Sequence, residues 1–190
     1  MRFELLPTCA LAFYCVTFVA EKIFLRGHRL KTKVNRDRGS LLAYDVSGLL
    51  TIPPGILLGL TDYGRVRWGE PYVSAAGLAL LVLGTVLRYA AIRALRRYFT
   101  VNVTILEGHR VVRSGLYNLM RHPAYTGLLL RYLGFGLAFS NWLSAALIFL
   151  PMLCVTAYRI RVEEAALLEH FGAEYASYAN VTKRLVPGIY

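Results

Sequence analysis

Apolar residues along this chain fall into long runs separated by short basic stretches. Five runs stand out: Leu5–Leu25, Leu41–Leu60, Tyr72–Ile92, Tyr125–Phe139 and Trp142–Tyr158. A helix needs ~20 such residues to cross the hydrocarbon core of a bilayer, so the first three reach across alone. The last two are shorter and are parted only by Ser140 and Asn141. That spacing predicts a tight helical hairpin in a locally thinned bilayer. Pro53 and Pro54 fall inside the second run and predict a kink, because proline removes a backbone donor and crowds the preceding turn. The pattern as a whole predicts an all-α fold, one integral membrane domain over residues 1–190 with five transmembrane helices. Two cytoplasmic segments, 98–122 and 159–190, complete it, the second forming a C-terminal helix. Glu4 stands where a signal peptide would carry basic residues, and no small-residue cleavage pattern follows; a retained first helix is expected.

Composition supports this and excludes alternatives. Of 190 residues, 56% are apolar, against the ~45–50% usual in soluble domains. A large soluble domain and intrinsic disorder are both excluded. Cys9, Cys15 and Cys154 are odd in number and lie in apolar runs, which reads as reduced packing residues rather than a disulfide scaffold.

The net charge of +11 is distributed unevenly. Arg26, Arg29, Lys31, Lys33, Arg36 and Arg38 follow the first run, Arg93, Arg96, Arg97, Arg110, Arg113 and Arg121 follow the third, and Arg159, Arg161, Lys183 and Arg184 follow the fifth. The second loop has Arg65 and Arg67 offset by Asp62 and Glu70, and the fourth has no charge. Basic residues favour the cytoplasmic side, so the N-terminus is expected outside and the C-terminus inside. No nucleic-acid-binding motif accompanies the charge, which reads instead as a topology signal beside anionic headgroups.

Three elements exceed what topology requires. Thr100–Ile105 alternates apolar and polar residues, predicting a short extended segment. Glu107-Gly108-His109 then reads as a turn and Val111-Val112 as a return. This segment fits either an irregular surface loop or a cover over a polar pocket. Next, Arg121-His122-Pro123-Ala124-Tyr125-Thr126-Gly127 predicts a helix that starts at Pro123 with His122 just outside. Its free N–H groups suit an anion such as a carboxylate, although a plain helix-start device has the same sequence. The four histidines show no metal-ligand spacing, and no metal is expected. Third, Arg159 and Glu163 lie one turn apart where the fifth run meets its polar continuation. An ionisable pair at that depth points to a site, although a solvated ion pair on a helix face has the same spacing. Arg88 and Arg131 also lie in apolar runs, and the sequence assigns them no role.

Taken in order, these elements resemble the isoprenylcysteine carboxyl methyltransferase family of integral membrane enzymes. The likeness runs from Asn102 to Gly188 and rests on Gly108–Tyr117, the Arg121–Gly127 string, Arg159, Glu163-Glu164, Leu167, His170-Phe171-Gly172, Tyr175, Tyr178 and Pro187-Gly188. The central string also occurs in phospholipid N-methyltransferases and some membrane sterol reductases; the downstream residues make the likeness stronger. The resemblance implies S-adenosyl-L-methionine as methyl donor, with S-adenosyl-L-homocysteine as product. The implied acceptor is the carboxylate of a prenylated cysteine, in a peptide or a lipid-like molecule, drawn from the bilayer. It implies a cofactor site at Asn102, His109, Arg110, Val111, Val112, Tyr117, His122, Pro123, Ala124 and Tyr125, with Arg159 and Glu163 facing the substrate as catalytic residues. It places such a protein in the endoplasmic reticulum of a eukaryote or the cell membrane of a prokaryote.

The chemistry suits these residues. A C-terminal carboxylate, with a reference pKa of ~3.3–3.7, is already ionised at neutral pH and needs no general base. Alignment in a dry site is the main requirement, and an arginine holds a carboxylate in a bidentate way. An amine acceptor, as in phosphatidylethanolamine methylation, would need a base instead. An NADPH-dependent membrane reductase is the remaining alternative.

Overall fold

The computed structural model describes residues 5–26, 37–104 and 108–188. Among them are α1 (Leu5–Arg26), α2 (Ser40–Gly59), α3 (Glu70–Leu95), a 3-10 turn (Arg96–Tyr98), α4 (Leu116–Leu119), α5 (Pro123–Leu137), α6 (Trp142–Phe171) and α7 (Ala173–Val181). Four of these helices are long and apolar enough to cross a membrane: α1, α2, α3 with its 3-10 extension, and α6. Val16, Ile23, Leu49, Leu57, Leu83 and Val86 stand exposed on their outer faces, as side chains that meet lipid do.

The fourth expected span is the 15-residue α5, about 22 Å long at ~1.5 Å per residue and so shorter than the ~30 Å hydrocarbon core. It starts at Pro123 with His122 as its N-cap, as the proline rule requires. Glycines spaced seven apart on α3 (Gly77, Gly84) and α5 (Gly127, Gly134) let the two backbones touch. A Cβ on Gly84 would lie 2.5 Å from both the Gly127 carbonyl oxygen and the Arg131 nitrogen. Helices in lipid gain by such close approach, since apolar side chains have no water to escape. Phe135, Leu81, Ile148 and Met152 fill the core beside them.

At the end of the bundle opposite the α5 N-terminus, the α2–α3 and α5–α6 turns lock together. The Val66 N–H donates to the Ser140 carbonyl at 2.7 Å, and the Trp142 N–H to Gly64 at 3.1 Å. Asn141 is fully buried. Its side chain accepts from the Ser144 N–H at 3.0 Å, capping α6, and donates to the Tyr63 carbonyl at 2.8 Å. The expected hairpin is therefore fixed by one asparagine.

Several expectations change. Helix α6 runs unbroken from Trp142 to Phe171, so the fifth span and the start of the C-terminal helix are one element. Gly172, at φ +52°, ends it and α7 follows. The segment from Thr100 to Thr104 forms no strand: the Thr100 hydroxyl donates to the Asn102 carbonyl at 2.8 Å and curls it. Ile105, Leu106 and Glu107, with Arg29, Lys31, Lys33 and Arg36, lie outside the described residues. The cysteines are free thiols but exposed on the helix surfaces; they are not core packing residues.

Candidate active site

The C-terminal ends of α1 and α3, the N-terminal ends of α2 and α5, and the polar half of α6 converge around one cavity of about 830 Å³. Of the expected site residues, Asn102, His109, Arg110, Val111, Val112, Tyr117, His122, Ala124, Tyr125, Arg159 and Glu163 all line it. Pro123 does not; it is buried as the first residue of α5.

Arg159 is buried and held from four sides. Its Nη1 pairs with Asp37 Oδ1 at 2.9 Å and donates to the Ser40 hydroxyl at 2.9 Å. Its Nη2 donates to the Val101 carbonyl. Its Nε donates to the Tyr125 hydroxyl at 3.0 Å, which in turn donates to Glu163 Oε2 at 2.7 Å. Arg159 and Glu163 are thus joined through a phenol. Asp37 also accepts from the Leu41 N–H at 2.7 Å. Burial raises the Asp37 pKa, but this backbone bond, the Arg159 charge and the Ser40 hydroxyl outweigh it, and the carboxyl titrates below its ordinary 3.8.

Glu164, the next residue, is a second hub. It accepts from Arg121 Nε at 2.8 Å and Arg184 Nε at 2.9 Å, and lies 3.2 Å from His122 Nε2. Residues 183–185 are pinned alongside: the Arg121 N–H donates to the Lys183 carbonyl at 2.7 Å, and the His122 N–H to Arg184 at 2.9 Å. The Tyr178 hydroxyl donates to the Tyr117 carbonyl at 2.6 Å. The tail so closes over the start of α5. Arg121 is therefore a structural tie as well as one of the basic residues of the loop before α5.

One wall is aromatic. His109 stacks on Tyr98 with ring centroids 5.1 Å apart and meets the edge of Phe171 at 5.6 Å. Burial, then the His170 charge, pulls the His109 pKa below 6.5, opposed by Glu163. Two buried polar atoms have no hydrogen-bond partner among the described residues here: Asn102 Oδ1 and the Tyr175 hydroxyl. Burial and the charges of Glu164 and Glu163 push the Tyr175 phenol up, so it stays protonated at neutral pH.

On the membrane side the cavity continues between α1 and α2, past Phe18, Leu41, Leu49 and Ile52. Here Glu21 receives Arg88 Nε at 2.7 Å and Arg131 Nη1, and the Tyr44 and Tyr132 hydroxyls lie 2.6 Å apart. Lys22 pairs with Asp45 at 3.0 Å across the α1–α2 seam.

Residues 77–169 match the isoprenylcysteine carboxyl methyltransferase family. The family match extends the likeness upstream through α3, beyond the Asn102 limit visible in the motifs. The chain is 35% identical over 118 residues to protein-S-isoprenylcysteine O-methyltransferase B of Arabidopsis thaliana, covering 61% of this chain and 60% of that protein. It is 34% identical over 106 residues to the Saccharomyces cerevisiae protein-S-isoprenylcysteine O-methyltransferase, covering 55% and 44%. It thus spans about 60% of the first of these relatives and less than half of the second. A solved structure of the eukaryotic intramembrane Ras methyltransferase, isoprenylcysteine carboxyl methyltransferase, shares the fold with a TM-score of 0.56 at 24% identity, over 81% of this chain and 51% of that one. A methyltransferase family implies a methyl donor.

Sequence reasoning missed Asp37, Ser40 and Glu21, and it placed Glu164 and Tyr175 among the motif residues without giving them a role in the site. Asp37 offered one signal: a lone acid within a basic loop, Arg36 to Arg38. The carboxylate that Arg88 and Arg131 share, Glu21, lies on α1, too distant in sequence for any spacing rule to find.

Proposed function

We propose that this protein transfers a methyl group from S-adenosyl-L-methionine to the C-terminal carboxylate of a prenylated cysteine, yielding the methyl ester. One observation carries the reading: a single cavity joins an apolar channel between α1 and α2 to a polar chamber lined by the expected site residues. A lipid-tailed acceptor and a soluble charged donor require such a two-sided cavity.

The chamber fits the donor. Asn102 Oδ1 and the Tyr175 hydroxyl are buried without partners among the described residues, as polar atoms that await a ligand's ribose or amino group are. The Tyr98–His109 stack and Val111 and Val112 suit an adenine ring. Bound there, the donor supplies an electrophilic methyl group on a sulfonium. Asp37, Ser40 and Tyr125 fix the guanidinium plane of Arg159 so that it orients the acceptor carboxylate at no conformational cost on binding. Tyr125 transmits the same constraint to Glu163, placed to receive a peptide N–H or the donor's ammonium. Burial keeps water from both reacting charges.

The arrangement of the ends supports a cytoplasmic site, an N-terminus outside and α5 as a fifth, short crossing. Arg93, Arg96, Arg97, Arg113, Lys183 and Arg184 gather at the site end. At the opposite end Arg65 is neutralised by Glu70 and Asp62. Methylation with labelled donor across prenylcysteine analogues and phosphatidylethanolamine tests the reading. Label in prenylcysteine supports it; label confined to the phospholipid overturns it.

A further inference from the structure

Two guanidiniums face one carboxylate in the membrane half of the cavity. Arg88 is fully used: Nε lies 2.7 Å and Nη2 2.5 Å from Glu21 Oε1, and Nη1 donates to the Ala124 carbonyl at 3.3 Å. Arg131 reaches Glu21 Oε2 through Nη1 alone. It is 2% exposed, and its Nε has no partner among the described residues. Its guanidinium lies over the Tyr14 ring, 5.0 Å from the centroid, so its orientation is set. The nearby Lys22–Asp45 pair cancels itself, as Arg159 and Asp37 do at the polar end. Within that membrane half one positive charge is left over, and it belongs to Arg131; the Glu163 carboxylate of the same cavity sits at its polar end, on Tyr125.

An unbalanced buried charge is costly, and a cavity that carries one favours an anionic occupant. We infer that Arg131 is a specificity-determining residue that holds the acceptor as an ionised acid and releases it as the neutral ester. This rests on the methyl-transfer reading. Arg159 provides fixed geometry, but its charge is already answered by Asp37. Arg131 supplies the net charge that separates a carboxylate from its ester, and product discrimination follows because the reaction removes the anion. Arg131 lies outside the motif residues that carry the resemblance.

The test is equilibrium binding in detergent of N-acetyl-S-farnesylcysteine, its methyl ester and its amide, with no donor present. Wild-type protein is expected to bind the acid ~10-fold or more tightly than the ester or amide, the scale of one charge-assisted contact. Arg131→Met leaves a neutral Arg88–Glu21 pair. Its ratio should fall toward one, and its unliganded melting temperature should not drop. A residue of purely structural value would lower that temperature. Arg131→Lys keeps the charge and should retain most of the preference. Equal wild-type affinities for acid and ester overturn the inference, as does an unchanged ratio in Arg131→Met or a lysine variant as impaired as the methionine one. Failure of methyl transfer with the acid preference intact would count against the function, not against this role of Arg131.

Discussion

The Tyr125 hydroxyl donates to Glu163 at 2.7 Å while it accepts from Arg159 at 3.0 Å. One phenol on α5 thereby sets the position of two charged groups on α6. Tyr125→Phe removes both bonds and almost no volume. Bonds to charged groups contribute ~1.5–3 kcal/mol each; if the transition state loses the equivalent of one of them, kcat/KM falls by about 10- to 100-fold. Steady-state methylation kinetics check this; activity within twofold of wild type would show that the bridge is idle.

Asp37 balances Arg159 in a buried pair. Removing one partner of such a pair costs ~3–5 kcal/mol, so Asp37→Asn should lower the melting temperature as well as activity. The folded-state pKa of Asp37 lies below its ordinary value. The pair's contribution is therefore fully present above that ordinary value of 3.8 and disappears as pH falls through the lower, folded one. A wild-type minus Asp37→Asn difference in stability that shrinks only at strongly acid pH is the expected result.

The shape of the site was legible where it depended on local sequence. Pro123 after His122 marks a helix start through backbone sterics alone, and the structure starts α5 there. Asp37 and Glu21 were not legible, because each pairs with an arginine more than fifty positions away: Arg159, Arg88 and Arg131. The unbroken α6 was hidden for another reason. Its composition changes from apolar to charged at Arg159 while its backbone periodicity does not, and hydropathy reports only the first. The curled Thr100–Thr104 segment shows the limit of alternation as a strand signal. Val103 packs on Val162 and Ala166 of α6, so its burial needs no neighbouring strand.

Gly127 meets α3 at backbone distance: an added Cβ would lie 2.6 Å from the Arg88 nitrogen and from the Gly84 carbonyl oxygen. Gly127→Ala should destabilise the bundle by ~1–3 kcal/mol through overpacking. It should also weaken acceptor binding, since it displaces Arg88 and the Ala124 carbonyl that Arg88 holds. Thermal unfolding in detergent and KM for the acceptor report the two effects.

His109 titrates below 6.5 because it is buried and faces His170. A lowered folded-state pKa means that the unfolded chain binds the proton more readily. The group thus costs no stability above pH 6.5 and destabilises the fold progressively below it. Nuclear magnetic resonance of labelled histidine should show His109 neutral at pH 7. His170→Gln should raise its midpoint, and Glu163→Gln should lower it further.

The central claim is that the transferred methyl ends on a carboxylate oxygen. Purified protein in lipid nanodiscs, given labelled S-adenosyl-L-methionine and a farnesylated cysteine, is predicted to form a product that releases labelled methanol in mild base, as an ester does. The account is contradicted by an absence of label in the prenylcysteine, or by label that base does not release.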